Sequence, residues 1–269
     1  MKIARRILVT AAITLAVIFV GVQWVLPVAL SFDAARNPLP MTRIVPTDLK
    51  DTSFSETPGK TLSYFGYEFE VPWGDLDQNQ TKLYPEDKPE KCRADLRFRS
   101  GLRLVVIAIP AGEWANELAT QFKLPHQRIE SSFEAKSDYS FLRNLYEFTP
   151  EKMHFWALSP RVHYREHYLL TMKTAALLPS ARSGIFNLQN QNYKGFQEGD
   201  PQVRQDGIEI HLFSDNGSIE MIFSQKNYQN PAGVTQPEIN RIVQSLRKAP
   251  HNGATALQDG KKVSGKGTS

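Results

Sequence analysis

The sequence has very little cysteine and little net charge in its central part, and each shortage excludes a class of protein. One cysteine among 269 residues rules out an intramolecular disulfide framework and a cysteine-rich zinc module. The formal net charge is +4, but residues 1–36 carry +3 and residues 249–269 carry +2, which leaves −1 for residues 37–248. Nucleic-acid-binding domains are usually basic, so we expect no nucleic-acid partner.

Several motifs of enzymes and cofactor sites are also missing. The chain has no phosphate-binding P-loop, no Gly-x-Gly-x-x-Gly dinucleotide motif, no EF-hand loop and no serine nucleophile elbow. The sequence therefore favours a noncatalytic domain without a cofactor.

One long hydrophobic run is present near the N-terminus. Residues 7–30 hold no charged side chain in 24 positions, and about 20 apolar residues are enough to cross a bilayer as a helix. Lys2, Arg5 and Arg6 lie in the basic flank 1–6 that precedes the run. By the positive-inside rule this flank is cytoplasmic and the remaining chain extracytoplasmic. We therefore predict a single-pass signal-anchor in the cell (inner) membrane, with lipid contacting residues 7–30.

A cleaved signal peptide is the alternative for the same run. Its apolar part is usually only about 7–15 residues long, which favours the uncleaved anchor. Small residues at Ala29 and Ser31 would nevertheless suit a cleavage site, so the alternative stays open.

The remaining chain divides by composition into three parts. Residues 31–60 contain four prolines among polar residues, which is typical of a semi-extended stalk. Residues 249–269 hold almost no large apolar side chain, so we expect a disordered tail. Residues 61–248 should form the folded extracytoplasmic domain.

Periodicity within residues 61–248 indicates strands first, then helices, strands and a closing helix. Apolar alternation or continuous apolar runs predict strands at 65–71, 92–98, 102–109, 183–189, 193–197, 208–213 and 218–224. Helical spacing and caps predict helices at 111–123, 138–148, 160–177 and from Thr235 onward. Residues 74–90 show no pattern and predict a loop. This order is typical of an α+β domain with a largely antiparallel sheet and packed helices.

Two segments resemble known domains. Residues 66–73, GYEFEVPW, are similar to the early strand and Pro-aromatic segment of PsbP-like domains. Residues 219–223 and 238–246 resemble the closing strand and helix of the same family, whereas the helical region 138–177 departs from its minimal form. The resemblance implies an accessory or binding protein without catalytic residues, and such a chain is expected among bacterial membrane-anchored proteins.

Residues 163–167, HYREH, match the H-x-x-E-H motif of inverted zinc peptidases. On a helix His163 and His167 share one face and could hold zinc, with Glu166 as the base. Glu220, Glu238 or His211 could supply a third ligand, but no motif selects among them. The competing interpretation is a surface helix whose Tyr164, Tyr168, Leu169 and Met172 face the core, and we favour it because short motifs often match by chance.

A cationic stripe is predicted on one strand hairpin. Arg93, Arg97, Arg99 and Arg103, together with Lys91, fall on one face of residues 91–103 because strand side chains alternate. They could bind an anionic lipid headgroup or an acidic partner. A solvated face paired with acids at 68, 70 or 86–90 is the alternative, and it is favoured because the domain has no net positive charge.

Two further positions carry reactive side chains. Glu209 and His211 share a face of the predicted strand 208–213, and Glu220 could lie across the hairpin; we expect a surface pair rather than an acid–base pair. Cys92 alternates with charged neighbours and should face the core.

These patterns predict a single-pass membrane protein with a noncatalytic α+β domain that binds a partner, such as a protein at the membrane, or a ligand. A membrane-tethered zinc hydrolase and a domain that contacts anionic lipid are the alternatives.

Overall fold

The chain is described by a computed structural model over residues 13–25, 28–29, 36, 40–84, 92–114, 116, 135–154, 157, 160–177, 179–203, 207–225 and 233–249. Residues 13–20 are helical and continue into a π turn, Gly21–Val25. Across this described part of the chain, no helix combines the length and apolar character that a membrane crossing requires. Parts of the predicted anchor 7–30 and nearly all of the predicted tail 249–269 lie outside the described residues.

The described residues form strands, α-helices and short 3-10 helices. The strands are β1 (Pro46–Asp48), β2 (Lys60–Tyr64), β3 (Tyr67–Val71), β4 (Lys82–Tyr84), β5 (Cys92–Arg97), β6 (Leu102–Ile109), β7 (Ile185–Gln189), β8 (Lys194–Glu198), β9 (Ile208–Ser214), β10 (Gly217–Gln225) and β11 (Arg247–Lys248). The helices are α1 (Asp138–Glu147), α2 (Pro160–Ala176) and α3 (Gln236–Ser245), with 3-10 helices Pro40–Arg43, Pro150–Lys152 and Pro179–Ser183.

Eight strands form one large sheet in the order β1-β7-β8-β9-β10-β6-β5-β4, and the other three form a small sheet in the order β11-β3-β2. Only the β1–β7 pair is parallel; the other pairs in both sheets, as far as the chain is described, are antiparallel. The predicted α+β class with a largely antiparallel sheet is confirmed.

Apolar alternation explains the central strands. In β9, Ile210 and Leu212 point to one face of the sheet, while Glu209, His211 and Phe213 point to the other. The turn to β10 ends at Gly217, whose φ of 136° lies in a region that glycine adopts without steric cost.

Both faces of the large sheet are covered, so the core has two parts. The small sheet and α3 cover one face, through residues that include Phe69, Val71, Ile239 and Ile242. Helices α1 and α2 cover the other face, through residues that include Phe141, Leu145, Leu169 and Met172. Because both faces are buried, polar side chains on the central strands are also taken out of water.

The predicted helices 138–148 and 160–177 are confirmed as α1 and α2. The predicted start of α3 is confirmed by a capping box, in which Glu238 accepts hydrogen bonds from the main-chain N–H and the hydroxyl of Thr235 at 2.7 and 2.9 Å. Most of the predicted helix 111–123 lies outside the described residues.

The expectation of a separate stalk over 31–60 is wrong for its second half. Strand β1 pairs with β7, and the Asn240 side-chain amide donates to the carbonyl oxygens of Asp51 and Ser53 at 3.0 and 2.8 Å. Proline content gave no information about pairing partners far along the chain, and Pro40 lies in a 3-10 helix rather than in an extended segment. The predicted loop 74–90 likewise contains the edge strand β4.

A buried ammonium group joins α2 to the end of α1. Lys173 Nζ donates hydrogen bonds to the carbonyl oxygens of Ile44, Tyr146 and Phe148 at 2.6, 2.7 and 2.9 Å. Burial, helped by the positive charge of Lys152, lowers the pKa of Lys173 to about 8. Two of these carbonyl groups, those of Tyr146 and Phe148, are ones that the end of α1 leaves without a helical partner.

Candidate functional site

A group of polar side chains lies on the helix-covered face of β8, β9 and β10. Glu209 and His211 are two residues apart on β9, so they share this face. The strand register places Glu198 of β8 opposite Glu209, and Glu220 of β10 opposite His211. Three carboxyl groups and one imidazole therefore meet on neighbouring strands; we call Glu198, Glu209, His211 and Glu220 the Glu-His cluster.

The atoms of the Glu-His cluster lie close enough to share one ion. One ligand atom each from Glu209, His211 and Glu220 lies within 4.8 Å of the other two. The Nε2 atom of His211 is 3.2 Å from Glu209 Oε1 and 3.9 Å from Glu198 Oε1. Glu198 thus borders the same space as the other three side chains.

Aromatic side chains cover the Glu-His cluster, in which Glu198, Glu209 and His211 are buried and Glu220 is partly buried. Glu209 and His211 are 8% and 6% exposed. The Trp114 ring stands edge-on to the His211 ring, with 5.8 Å between ring centroids. The hydroxyl of Tyr146, on α1, donates a hydrogen bond to Glu198. The cover over the cluster therefore comes from chain segments remote from the strands that carry it.

Burial dominates the electrostatics of the Glu-His cluster. It raises the pKa of Glu209, and a hydrogen bond with Glu220 only partly opposes this effect. Burial and the nearby charge of Glu198 raise the pKa of Tyr146 well above its usual value, so Tyr146 stays a neutral hydrogen-bond donor. Two carboxyl groups can hydrogen-bond to each other only if one carries a proton, so Glu209 and Glu220 share one proton at this contact.

Among the described residues, Glu209 lacks the cationic partner that buried carboxylates usually have. Within the described chain, Glu209 contacts His211 and Glu220 but no Lys or Arg, and His211 Nδ1 is buried without a hydrogen-bond partner. Imidazole nitrogen and carboxylate oxygen together are the donor set of zinc and similar divalent metals. The arrangement can therefore accept such a cation.

The H-x-x-E-H residues lie on α2 but form no comparable group. His163 Nε2 is 2.9 Å from the carbonyl oxygen of Ala157, and Glu166 accepts from the main-chain N–H of His154 at 2.8 Å and lies 2.6 Å from its Nδ1. In the described residues, the only group of three or more potential metal ligands is Glu209, His211 and Glu220. Glu166 and His163 are therefore engaged in contacts between α2 and the preceding residues His154 and Ala157.

The expectation of a solvent-facing motif on α2 is wrong. His163 and Glu166 are each 1% exposed, and His154 and Ala157, which precede α2, contact them. Burial of Leu169 and Met172 is confirmed, while the side chain of Tyr164 lies outside the described residues.

Three of the four predicted ligand-binding arginines lie together. Arg93, Arg97 and Arg103 share the face of the sheet that carries the Glu-His cluster, whereas Arg99 lies exposed in the turn after β5. The acids at 68 and 70, which we expected to pair with these arginines, pair with other residues. Asp95 on the same hairpin pairs with Arg97 and Arg103 at 3.1 and 2.7 Å.

The acids that we expected to pair with the cationic stripe either pair with other residues or lie outside the described residues. Glu68 pairs with Arg247, and Glu70 with Arg241, both at 3.0 Å; residues 86–90 and Lys91 lie outside the described residues. Cys92 is half-buried and outside any disulfide, and it lies on the opposite, core-facing side of β5.

Sequence patterns placed Glu209, His211 and Glu220 together but predicted a surface pair, which the burial of Glu209 and His211 contradicts. Glu198 and Tyr146 were missed. Glu198 lies two residues after Phe196 in strand 194–198, and residues two apart on a strand share a face, so the sequence could have placed Glu198 on this face. No sequence signal links Glu198 to Tyr146.

A polar groove of about 350 Å³ lies between β3, the turn after β7 and the end of α3. Its Glu68 and Arg247 pair with each other, and Asn190 donates to the carbonyl oxygens of Val243 and Leu246. Because these groups satisfy one another, we place the candidate site at the Glu-His cluster.

No protein-family model matches the chain, and neither curated proteins nor solved structures match it significantly. The similarity to PsbP-like domains stays a prediction.

Proposed function

We propose that this chain is a membrane-tethered, noncatalytic binding protein whose domain takes up a divalent transition-metal cation at the Glu-His cluster. One observation carries the proposal: ligand atoms of Glu209, His211 and Glu220 lie within 4.8 Å of one another, where Glu209 and His211 are buried and Glu220 is partly buried. Zinc and related metals bind imidazole nitrogen and carboxylate oxygen at about 2.0–2.2 Å, so small side-chain movements would bring all three atoms into contact with one ion.

The size of the site favours an ion over an organic ligand. Donor atoms separated by at most 4.8 Å enclose the volume of one ion, and the Trp114 ring closes the space beside His211. Within the described residues, the Nδ1 atom of His211 also has no hydrogen-bond partner. A cation would replace the proton that Glu209 and Glu220 share.

Coordination supports binding rather than catalysis. Catalytic zinc sites typically offer three protein ligands and keep one position open for water or substrate, whereas closed sites use four protein ligands. Glu198 lies 3.9 Å from His211 Nε2 and can complete a set of four. The cover by Trp114 and Tyr146 further restricts access by a substrate.

The membrane attachment in this proposal rests on the sequence. Residues 7–30 carry no charge, and three basic residues precede them. This arrangement supports an anchor that holds the domain on the extracytoplasmic side. A reporter enzyme fused after residue 250 should be active only outside the cytoplasm; activity inside the cytoplasm, or a mature chain starting near Ser31, would contradict the anchor.

Metal analysis of the full-length chain in neutral detergent tests the cation site. The protein would be stripped with a chelator, dialysed against zinc or manganese, and analysed for bound metal. We expect about one ion per chain, lost in His211→Gln and Glu209→Gln. Retention is expected in Glu113→Gln, which removes an exposed carboxylate next to Trp114, and in His167→Gln.

Circular dichroism of each variant separates loss of metal from loss of fold. A native chain without bound metal, or a folded His211→Gln variant that retains it, would contradict the cation site. Loss of metal in His167→Gln alone would instead support a zinc centre on α2.

A further inference from the structure

We infer that Arg93, Arg97 and Arg103 form a second binding site, which takes a phosphate-type oxyanion on the β5–β6 hairpin. This site goes beyond the proposed cation site and does not depend on it, because it uses different strands and the opposite charge. The ligand is a phosphate group, either free in solution or on a lipid headgroup.

Two of the three guanidinium groups, those of Arg97 and Arg103, are held together by one carboxylate. Asp95 accepts two hydrogen bonds from Arg103, at 2.8 and 2.7 Å, and its Oδ1 lies 3.1 Å from Arg97 Nε. Burial alone would raise the pKa of Asp95, but the bonds and charges of Arg103, Arg97 and Arg93 outweigh it and lower that pKa. Asp95 therefore stays ionised and fixes Arg97 and Arg103 in position.

One carboxylate cannot satisfy three guanidinium groups. Each guanidinium carries five N–H donors, whereas a carboxylate offers about four acceptor positions. The formal charge of Asp95 and the three arginines together is +2. After Asp95 is saturated, most of the N–H donors and two positive charges are left for a ligand.

Arg93 supplies the most direct sign of a missing acceptor. Its Nε atom is buried and has no hydrogen-bond partner in the described part of the chain. The guanidinium lies over the ring of Tyr84, with 5.2 Å between Cζ and the ring centroid, so its position is fixed by stacking. Leaving a buried charged donor without an acceptor is costly, and an oxyanion would remove that cost.

Access and geometry suit a phosphate group. The side chains of Arg97 and Arg103 are 33% and 30% exposed, so a ligand can reach them from solution. Planar guanidinium groups bind phosphate oxygens through two parallel hydrogen bonds. A purely structural ion pair would need only one arginine for Asp95, and the hairpin provides three.

Titration of the full-length chain in neutral detergent tests the site, with inorganic phosphate as the probe. Ionic strength would be kept constant with sodium chloride, because salt screens exposed charges. Calorimetry should give saturable binding that weakens at least tenfold in Arg93→Gln. Arg99→Gln removes the same charge from the adjacent turn, outside the site, and should change the affinity less than twofold.

A parallel experiment in nanodiscs identifies the source of the phosphate group. Deuterium uptake by residues 92–109 would be compared in phosphatidylcholine discs with and without phosphatidylglycerol. If a lipid headgroup is the ligand, phosphatidylglycerol should protect the hairpin in the native chain and in Arg99→Gln but not in Arg93→Gln, without saturable binding of free phosphate.

The site is overturned if the native chain neither binds phosphate nor gains protection from phosphatidylglycerol. It is also overturned if Arg93→Gln and Arg99→Gln weaken the binding or the protection equally. Should Arg93→Gln fail to fold, Arg93→Lys replaces it. That variant keeps the charge but loses the planar fork, and it should bind phosphate or protect the hairpin several-fold more weakly than the native chain. Unchanged binding in a folded Arg93→Lys chain would also count against the site.

Discussion

Gly195 on β8 lies so close to the carbonyl oxygen of His211 on β9 that a Cβ atom at residue 195 would overlap this oxygen. The same Cβ would also lie 2.9 Å from the α-carbon of Leu212, which is nearer than side-chain carbons normally come. The backbone at the Glu-His cluster is therefore held by a contact that only glycine permits.

Gly195→Ala should destabilise the protein strongly. Neither strand can move without disturbing its ladder, so we expect a loss of at least about 3 kcal/mol, the upper end for overpacking. Urea denaturation measures the free energy of unfolding. Gly74→Ala is the matched control, because nothing lies within 4 Å of a Cβ there. Equal stabilities of the two variants would contradict this packing.

Tyr146→Phe should lower the free energy of unfolding by about 1–3 kcal/mol, because the buried Glu198 would lose a hydrogen-bond donor. Tyr139→Phe provides the control on the same helix, since the Tyr139 ring stacks on Phe196 at 5.5 Å and keeps this contact without its hydroxyl. Thermal denaturation of both variants would compare them. A larger effect at Tyr139 would argue against the Tyr146–Glu198 bond.

Glu209→Gln should gain stability relative to the native chain as pH rises, when metal is absent. The pKa of Glu209 is raised in the folded state, so the unfolded chain releases this proton first. Native stability from this group is therefore present below about pH 4.5 and is lost as pH rises through the folded pKa. Urea denaturation in chelator between pH 4.5 and 7 measures the difference, with Glu113→Gln as the control. If the difference in free energy of unfolding between Glu209→Gln and the native chain did not change with pH, the raised pKa of Glu209 would be refuted.

Lys173→Met should cost about 3 kcal/mol or more at neutral pH, because three carbonyl groups lose their donor. The cost should grow between about pH 8 and 10.5. In that range the folded chain has released the proton of Lys173, whose pKa is about 8, while the unfolded chain still binds it, so native stability rises with pH. Denaturation at pH 7.5 and 9.5 tests this. Exposed Lys50→Met, whose charge is not among the causes of the Lys173 shift, should show neither effect.

Glu166→Gln should destabilise the chain by about 1–3 kcal/mol without changing its metal content. The amide can no longer accept both hydrogen bonds from His154, whereas the Glu-His cluster is untouched. Denaturation and metal analysis of one preparation give both results. His167→Gln, one residue further along α2, is the control. Metal loss with intact stability would favour the H-x-x-E-H motif as the metal site.

The sequence by itself determined where most of the strands lie, and where those predicted helices lie that fall within the described residues. Side-chain alternation located β9 and β10, and helical spacing located α1 and α2, because these signals are local. Short strands such as β1 and β4 were missed, since three residues carry too little pattern and their pairing depends on distant partners.

Alternation also determined that Glu209 and His211 share a face, but not whether that face meets water. Only the tertiary structure decided this, because α1 and Trp114, from elsewhere in the chain, cover the strands that carry the Glu-His cluster. The same limit explains His163 and Glu166, whose residue types are typical of a surface helix until a loop covers them. A local pattern fixes the direction of a side chain, whereas its burial, and hence its pKa and chemistry, depends on what packs against it.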